Sequence, residues 1–98
     1  MIAGPRVVTG LDVGSTKTCA LILEASSEGG HRILGVGLAD TEGVRSDEVT
    51  DLEATTRSIE EAVEEAELMA GVEVREAYVG LPGRHVEVSE SSGVVAVS

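Results

Sequence analysis

Asp12, Gly14, Ser15, Thr16 and Lys17 stand together in the stretch Gly10-Leu11-Asp12-Val13-Gly14-Ser15-Thr16-Lys17-Thr18. These residue types at this spacing suit the β- and γ-phosphates of a nucleotide. A glycine lets the backbone approach a phosphate closely. Amides and hydroxyls around Ser15 and Thr16 donate to its oxygens, Lys17 adds positive charge, and Asp12 faces a hydrated Mg²⁺. The pattern is not a Walker A loop. Counting from Gly10, Ser15 holds the place of the second glycine and Thr16 that of the lysine. The run that follows, Cys19-Ala20-Leu21-Ile22-Leu23, reads as a strand rather than a helix. The same residues also suit an ordinary hairpin with a Gly-Ser tip.

The elements that must position this turn are legible as apolar runs. Val7 to Val13 reads as a strand, apolar almost throughout, as expected for one buried on both faces. Thr18 to Glu24 returns antiparallel to it. Ser26-Ser27-Glu28-Gly29-Gly30 is a turn signal, and Arg32 to Leu38 gives a third strand. Asp40 to Val49 is polar and reads as a surface loop. A helix is expected to open at Thr50, whose hydroxyl would take the amide of Glu53 in a capping box, and to stop at Gly71. Leu52, Thr56, Ile59, Val63, Ala66 and Ala70 recur at helical spacing and are its expected buried stripe. Glu60, Glu61, Glu64, Glu65 and Glu67 fall mostly off the stripe, as a solvated face. Ala77 to Leu81 reads as a fourth strand ending at Pro82-Gly83. His85 to Ser98 reads as strand pieces around a turn at Ser91-Ser92-Gly93.

Three strands, a helix and a strand imply a partly parallel sheet, which is normally covered on both faces. One helix covers only one. The last residues, Val94-Val95-Ala96-Val97-Ser98, are still apolar. The chain is therefore expected to be part of a larger protein.

Composition narrows the function. The 98 residues allow one domain at most. With no Phe or Trp and one Tyr, the core must be built from Val, Leu, Ile and Ala. A formal charge of −11, from 7 basic and 18 acidic residues, repels nucleic acid and anionic lipid, so neither is an expected direct partner of this segment. No apolar run has the length of a bilayer span, the first residues lack the pattern of a secretory signal, and a single cysteine forms no internal disulfide. The chain reads as cytoplasmic.

The remaining chemistry-bearing residues carry less. Cys19 lies in an apolar strand and reads as a buried, inert thiol. His31 and His85 are far apart in sequence with no third ligand, which argues against a metal site. Gly35-Val36-Gly37 lacks the third glycine and following helix of a dinucleotide fingerprint. Met69 reads as core filler.

The phosphate-type turn, taken with later segments, resembles a known family. Gly10 to Lys17 is similar to the first phosphate motif of the actin/Hsp70/sugar-kinase superfamily. Within it, the chain resembles the FtsA family of bacterial cell-division proteins over nearly all 98 residues. The segments that carry this are Ile33-Leu34-Gly35-Val36-Gly37, Gly43-Val44-Arg45 and Val49-Thr50-Asp51-Leu52-Glu53. They continue with Ala66 to Gly71, Tyr78 to His85 and Gly93 to Ser98. The resemblance implies an α/β fold: a partial actin-like, ribonuclease H-like ATPase subdomain with a mixed sheet at 1–83. At 84–98 it implies the start of the family's inserted subdomain. It implies ATP and Mg²⁺ as cofactors of the full-length protein, with at most weak ATPase activity and none in this chain alone. Gly14, Ser15, Thr16 and Lys17 would contact phosphate, and Asp12 would serve Mg²⁺ through water. Relatives often carry a lysine where this chain has Cys19; Lys17, in the same turn, is expected to take that part. Implied partners are FtsZ and further copies in filaments. A C-terminal amphipathic helix, absent from this chain, would reach the cytoplasmic face of the inner membrane at the division site. The alternative within the superfamily is a sugar-kinase-like phosphotransferase.

Overall fold

The computed structural model describes residues 6–46, 48–81, 84–89 and 93–97, with side chains at 6–46 and 48–80. The strands β1 (Arg6–Val13), β2 (Lys17–Ala25) and β3 (His31–Asp40) form an antiparallel meander. Two short strands, β4 (Val44–Arg45) and β5 (Glu48–Val49), pair with each other before the helix α1 (Leu52–Ala70). The chain then returns through β6 (Glu76–Leu81), which pairs parallel to β1 with Gly10 beside Tyr78 and Asp12 beside Gly80. β7 (Arg84–Ser89) and β8 (Gly93–Val97) extend the sheet antiparallel, giving the order β3-β2-β1-β6-β7-β8. The fold is thus α/β with a mixed sheet and one helix among the described residues, as expected. Met1–Pro5, Asp47, Pro82-Gly83, Glu90–Ser92 and Ser98 lie outside the described residues, and with them the two turns expected at Pro82-Gly83 and Ser91-Ser92.

α1 lies against β3 and β2, and small residues set how closely. A Cβ at Gly37 would sit 1.8 Å from the carbonyl oxygen of Ala62, and one at Gly35 would sit 2.3 Å from that of Ala66. Glycine at both positions brings the helix backbone onto the strand. The Gly-Val-Gly run is a docking groove for a helix. The core beneath is formed by Leu11, Val13, Ala20 and Ile22 of the sheet with Ala62 and Ala66 of α1. A register shift between Ile22 and Leu23 makes room for Leu34, which joins that core.

Close packing also rotates the helix from the expected stripe. Ala54, Thr55, Ser58, Ala62 and Ala66 are buried. Ile59, Val63 and Ala70 pack partly buried against the core. Leu52 is 73% exposed and Thr56 is exposed. Met69 is exposed rather than core filler. The reason is steric: a backbone-to-backbone approach leaves room for Ala and Ser, and bulky side chains turn outward.

The cap moves by one residue from the expected position. Asp51, not Thr50, is the N-cap: its carboxylate accepts from the Ala54 amide at 3.1 Å. The Thr50 hydroxyl donates instead to the Gly43 carbonyl at 3.2 Å. Gly71 ends the helix in the left-handed region (φ 71°), as expected, its amide bonded to the Glu67 carbonyl. Glu67 does more than face solvent: its carboxylate accepts from the Val74 amide at 2.6 Å and ties the helix end to the return loop.

Two further expectations are corrected. The segment 40–49, read as loop, contains the last residue of β3 and the β4–β5 pair. β1 is not buried on both faces. Thr9, Leu11 and Val13 point into the core, while Asp12 on the other face is exposed.

Candidate functional site

β1 delivers Asp12 to the end of the sheet and β2 starts at Lys17, so Asp12, Gly14, Ser15, Thr16 and Lys17 are brought together at one hairpin. The hairpin is closed by the Gly14 amide donating to the Lys17 carbonyl at 2.9 Å. A Cβ at Gly14 would lie 3.1 Å from that same oxygen. The tip is tight at Gly14. Ser15 and Thr16 stand exposed at the tip. Thr18 is fully buried below, opposite Val13.

Side chains alternate between the faces of a sheet. Val13 and Thr18 face α1, so Asp12, Lys17 and Cys19 rise from the opposite face. Asp12 is paired with Cys19 on one side and Gly80 on the other. Cys19 is half-buried and free, directly across from the exposed Asp12. His31 is exposed at the start of β3, remote from the hairpin; the side chain of His85 lies outside the described residues. Among the described residues no group of three or more His, Cys, Asp or Glu could enclose a metal ion. A Mg²⁺ that keeps its waters and rides on phosphate needs only one or two carboxylates, and Asp12 meets that requirement.

Residues outside the expected set support the hairpin. β3 runs to Asp40, which lies in register with Lys17, and the two side chains form an ion pair. Lys17 holds the Asp40 carboxyl below the usual aspartate range, through its hydrogen bond first and its charge second. The Thr41 amide donates to the Thr16 carbonyl at 2.9 Å, and the Thr18 and Thr41 hydroxyls share a hydrogen bond of 2.7 Å. Glu42 is in turn fixed to α1. Its amide donates to the Ser58 hydroxyl at 3.0 Å, and its carbonyl accepts from the Thr55 hydroxyl at 2.9 Å. The inward alternation of Gly35, Gly37 and Ala39 was the available signal that β3 continues to Asp40.

No family model matches the chain. Curated relatives do. The chain is 35% identical to the cell division protein FtsA of Pseudomonas aeruginosa over 92 residues, 94% of this chain and 22% of the relative. It is 33% identical to FtsA of Escherichia coli strain K12 over 93 residues, 95% and 22% respectively. It is 38% identical to FtsA of Enterococcus faecalis over 97 residues, 99% and 22%. The chain belongs to the FtsA family. It spans about a fifth of the length of these FtsA relatives, and the match runs through the hairpin, the Gly-Val-Gly groove and α1 alike. The mixed sheet with one helix is compatible with part of an actin-like domain. Among the described residues no helix is long and apolar enough to cross a membrane.

Proposed function

We propose that this chain is the N-terminal part of an ATP-binding, actin-like cell-division protein. Residues 1–83 form its first actin-like, ribonuclease H-like subdomain and 84–98 open the family's inserted subdomain. Gly14, Ser15, Thr16 and Lys17 hold the β- and γ-phosphates of ATP through backbone amides, two hydroxyls and one ammonium. Asp12 orients a water of the accompanying Mg²⁺, which neutralises phosphate charge when bound. Cys19 replaces a cationic side chain across from Asp12, and Lys17 supplies the charge from the same face. The full-length protein polymerises and ties FtsZ to the cytoplasmic face of the inner membrane at the division site, through a C-terminal amphipathic helix.

The observation that carries this reading is the hairpin tip. An exposed Ser-Thr pair and a lysine surround a glycine whose Cβ position is already crowded. The named relatives are cell-division proteins, which gives the phosphotransferase alternative no support.

The test is nucleotide binding by the full-length protein carrying Gly14→Val. A branched side chain would press on the Lys17 carbonyl and block phosphate approach. Calorimetry should show ATP binding by the native protein and none by the variant, with circular dichroism unchanged. Normal ATP binding by a folded Gly14→Val protein would remove the hairpin from the site.

A further inference from the structure

The ammonium of Lys17 is already engaged. It pairs with Asp40 across the β2–β3 register, with side chains 66% and 81% exposed respectively. The two partners differ in freedom. Lys17 is a long, flexible side chain at the edge of a hairpin. Asp40 is short and sits on a braced platform. Thr41 next to it is bonded to the Thr16 carbonyl and the Thr18 hydroxyl, and Glu42 is bonded at both backbone ends to Ser58 and Thr55 of α1. When an anion arrives at the hairpin, the lysine is the part that moves.

The geometry points to Asp40 as a positioning residue that holds Lys17 in reserve and competes with the phosphates of a nucleoside triphosphate for it. This inference rests on the reading of the hairpin as a phosphate turn and adds a residue that lies outside the turn. Its physical consequence is a weaker, more discriminating site. A ligand must bring enough negative charge to draw Lys17 away from a carboxylate whose position the sheet and α1 fix.

The test is a thermodynamic cycle on the full-length protein, with Mg-ATP as probe. Binding is followed by calorimetry and by the amide NMR signals of Gly14 to Lys17. Asp40→Asn should tighten Mg-ATP binding about two- to fivefold, the scale of an exposed ion pair. Asp40→Glu, which keeps the carboxylate, should bind as the native protein does. In a Lys17→Ala background the larger part of the Asp40→Asn gain should disappear, because the competition runs through the lysine. The inference is overturned if Asp40→Asn binds no more tightly than the native protein. It is also overturned if Asp40→Glu gains as much as Asp40→Asn, or if the larger part of the gain persists without Lys17, which would reduce Asp40 to a background charge. A full-length protein that binds Mg-ATP while its hairpin signals stay unmoved gives a different pattern. That result removes the phosphate turn itself, and this inference with it.

Discussion

The two faces of the sheet are built from different residues. Toward α1 the sheet presents Gly35, Gly37, Ala39 and Ala20, with Ile22 fully buried among them. Toward the other side it presents Leu21, Leu23 and Val36, together with Ile33 at 64% and Leu38 at 57% exposure and an exposed Tyr78. The first face is small because a helix backbone rests on it. The second is as apolar, yet no helix of the described residues packs there, and its hairpin end changes character to Asp12, Lys17 and Asp40. Side-chain size, rather than hydrophobicity, separates a face that docks a helix closely from one that does not.

That contrast is most easily broken at Gly37. Gly37→Val drives a branched side chain into the Ala62 carbonyl, and neither backbone can yield without separating helix from sheet. A loss of about 3 kcal/mol or more is expected in urea unfolding. The matched change on the open face, Leu38→Val, should cost under about 1 kcal/mol. Equal losses at both positions would mean that the helix does not rest on the strand.

Ile22→Ala compares burial directly. Its side chain is fully enclosed, and its removal should cost about 2–4 kcal/mol. Leu38→Ala should lose well under half of that. Next in size is self-association. Exposed apolar area favours it, the charge of −11 opposes it, and added salt screens the charge. Light scattering across a salt series should show growing assemblies of this chain. Leu38→Lys with Ile33→Lys should reduce them, whereas Leu68→Lys on the outer side of α1 should not. Suppression by the Leu68 change alone would move the sticky surface to the helix.

Much of this architecture is visible in the amino-acid order. The meander, the hairpin that gathers Asp12 and Gly14 to Lys17, the single helix and its Gly71 stop follow from alternation, turn residues and periodicity. What escapes depends on a partner in space. Leu52, Thr56 and Met69 look inward by spacing alone, but the glycines of β3 decide which helical face comes close. Thr50 and Asp51 are both competent caps, and only the position of the Gly43 carbonyl assigns them their parts. Asp40 reads as loop because its ion-pair partner is a lysine 23 positions away.

The cap itself is a smaller test. Asp51→Ala leaves the Ala54 amide without its acceptor and should cost about 1 kcal/mol, whereas Thr50→Val should cost less. Smallest is the pH dependence of Asp40. Lys17 lowers its carboxyl in the folded chain, so the pair's contribution is complete above the ordinary aspartate value of about 3.9 and is lost as pH falls through the lowered one. The melting temperatures of native chain and Asp40→Asn should differ slightly at neutral pH and converge in acid. A gap that widens on acidification would contradict the pairing.

On the proposed function, nucleotide phosphate sits at the Gly14–Lys17 hairpin. The most direct measurement is a crystal structure of the full-length protein with Mg²⁺ and a non-hydrolysable ATP analogue. Phosphate oxygens are expected within hydrogen-bond reach of the Ser15 and Thr16 groups, Lys17 turned from Asp40 toward them, and Asp12 on a metal-bound water. A nucleotide bound elsewhere, with the hairpin untouched and Lys17 still on Asp40, would contradict that placement.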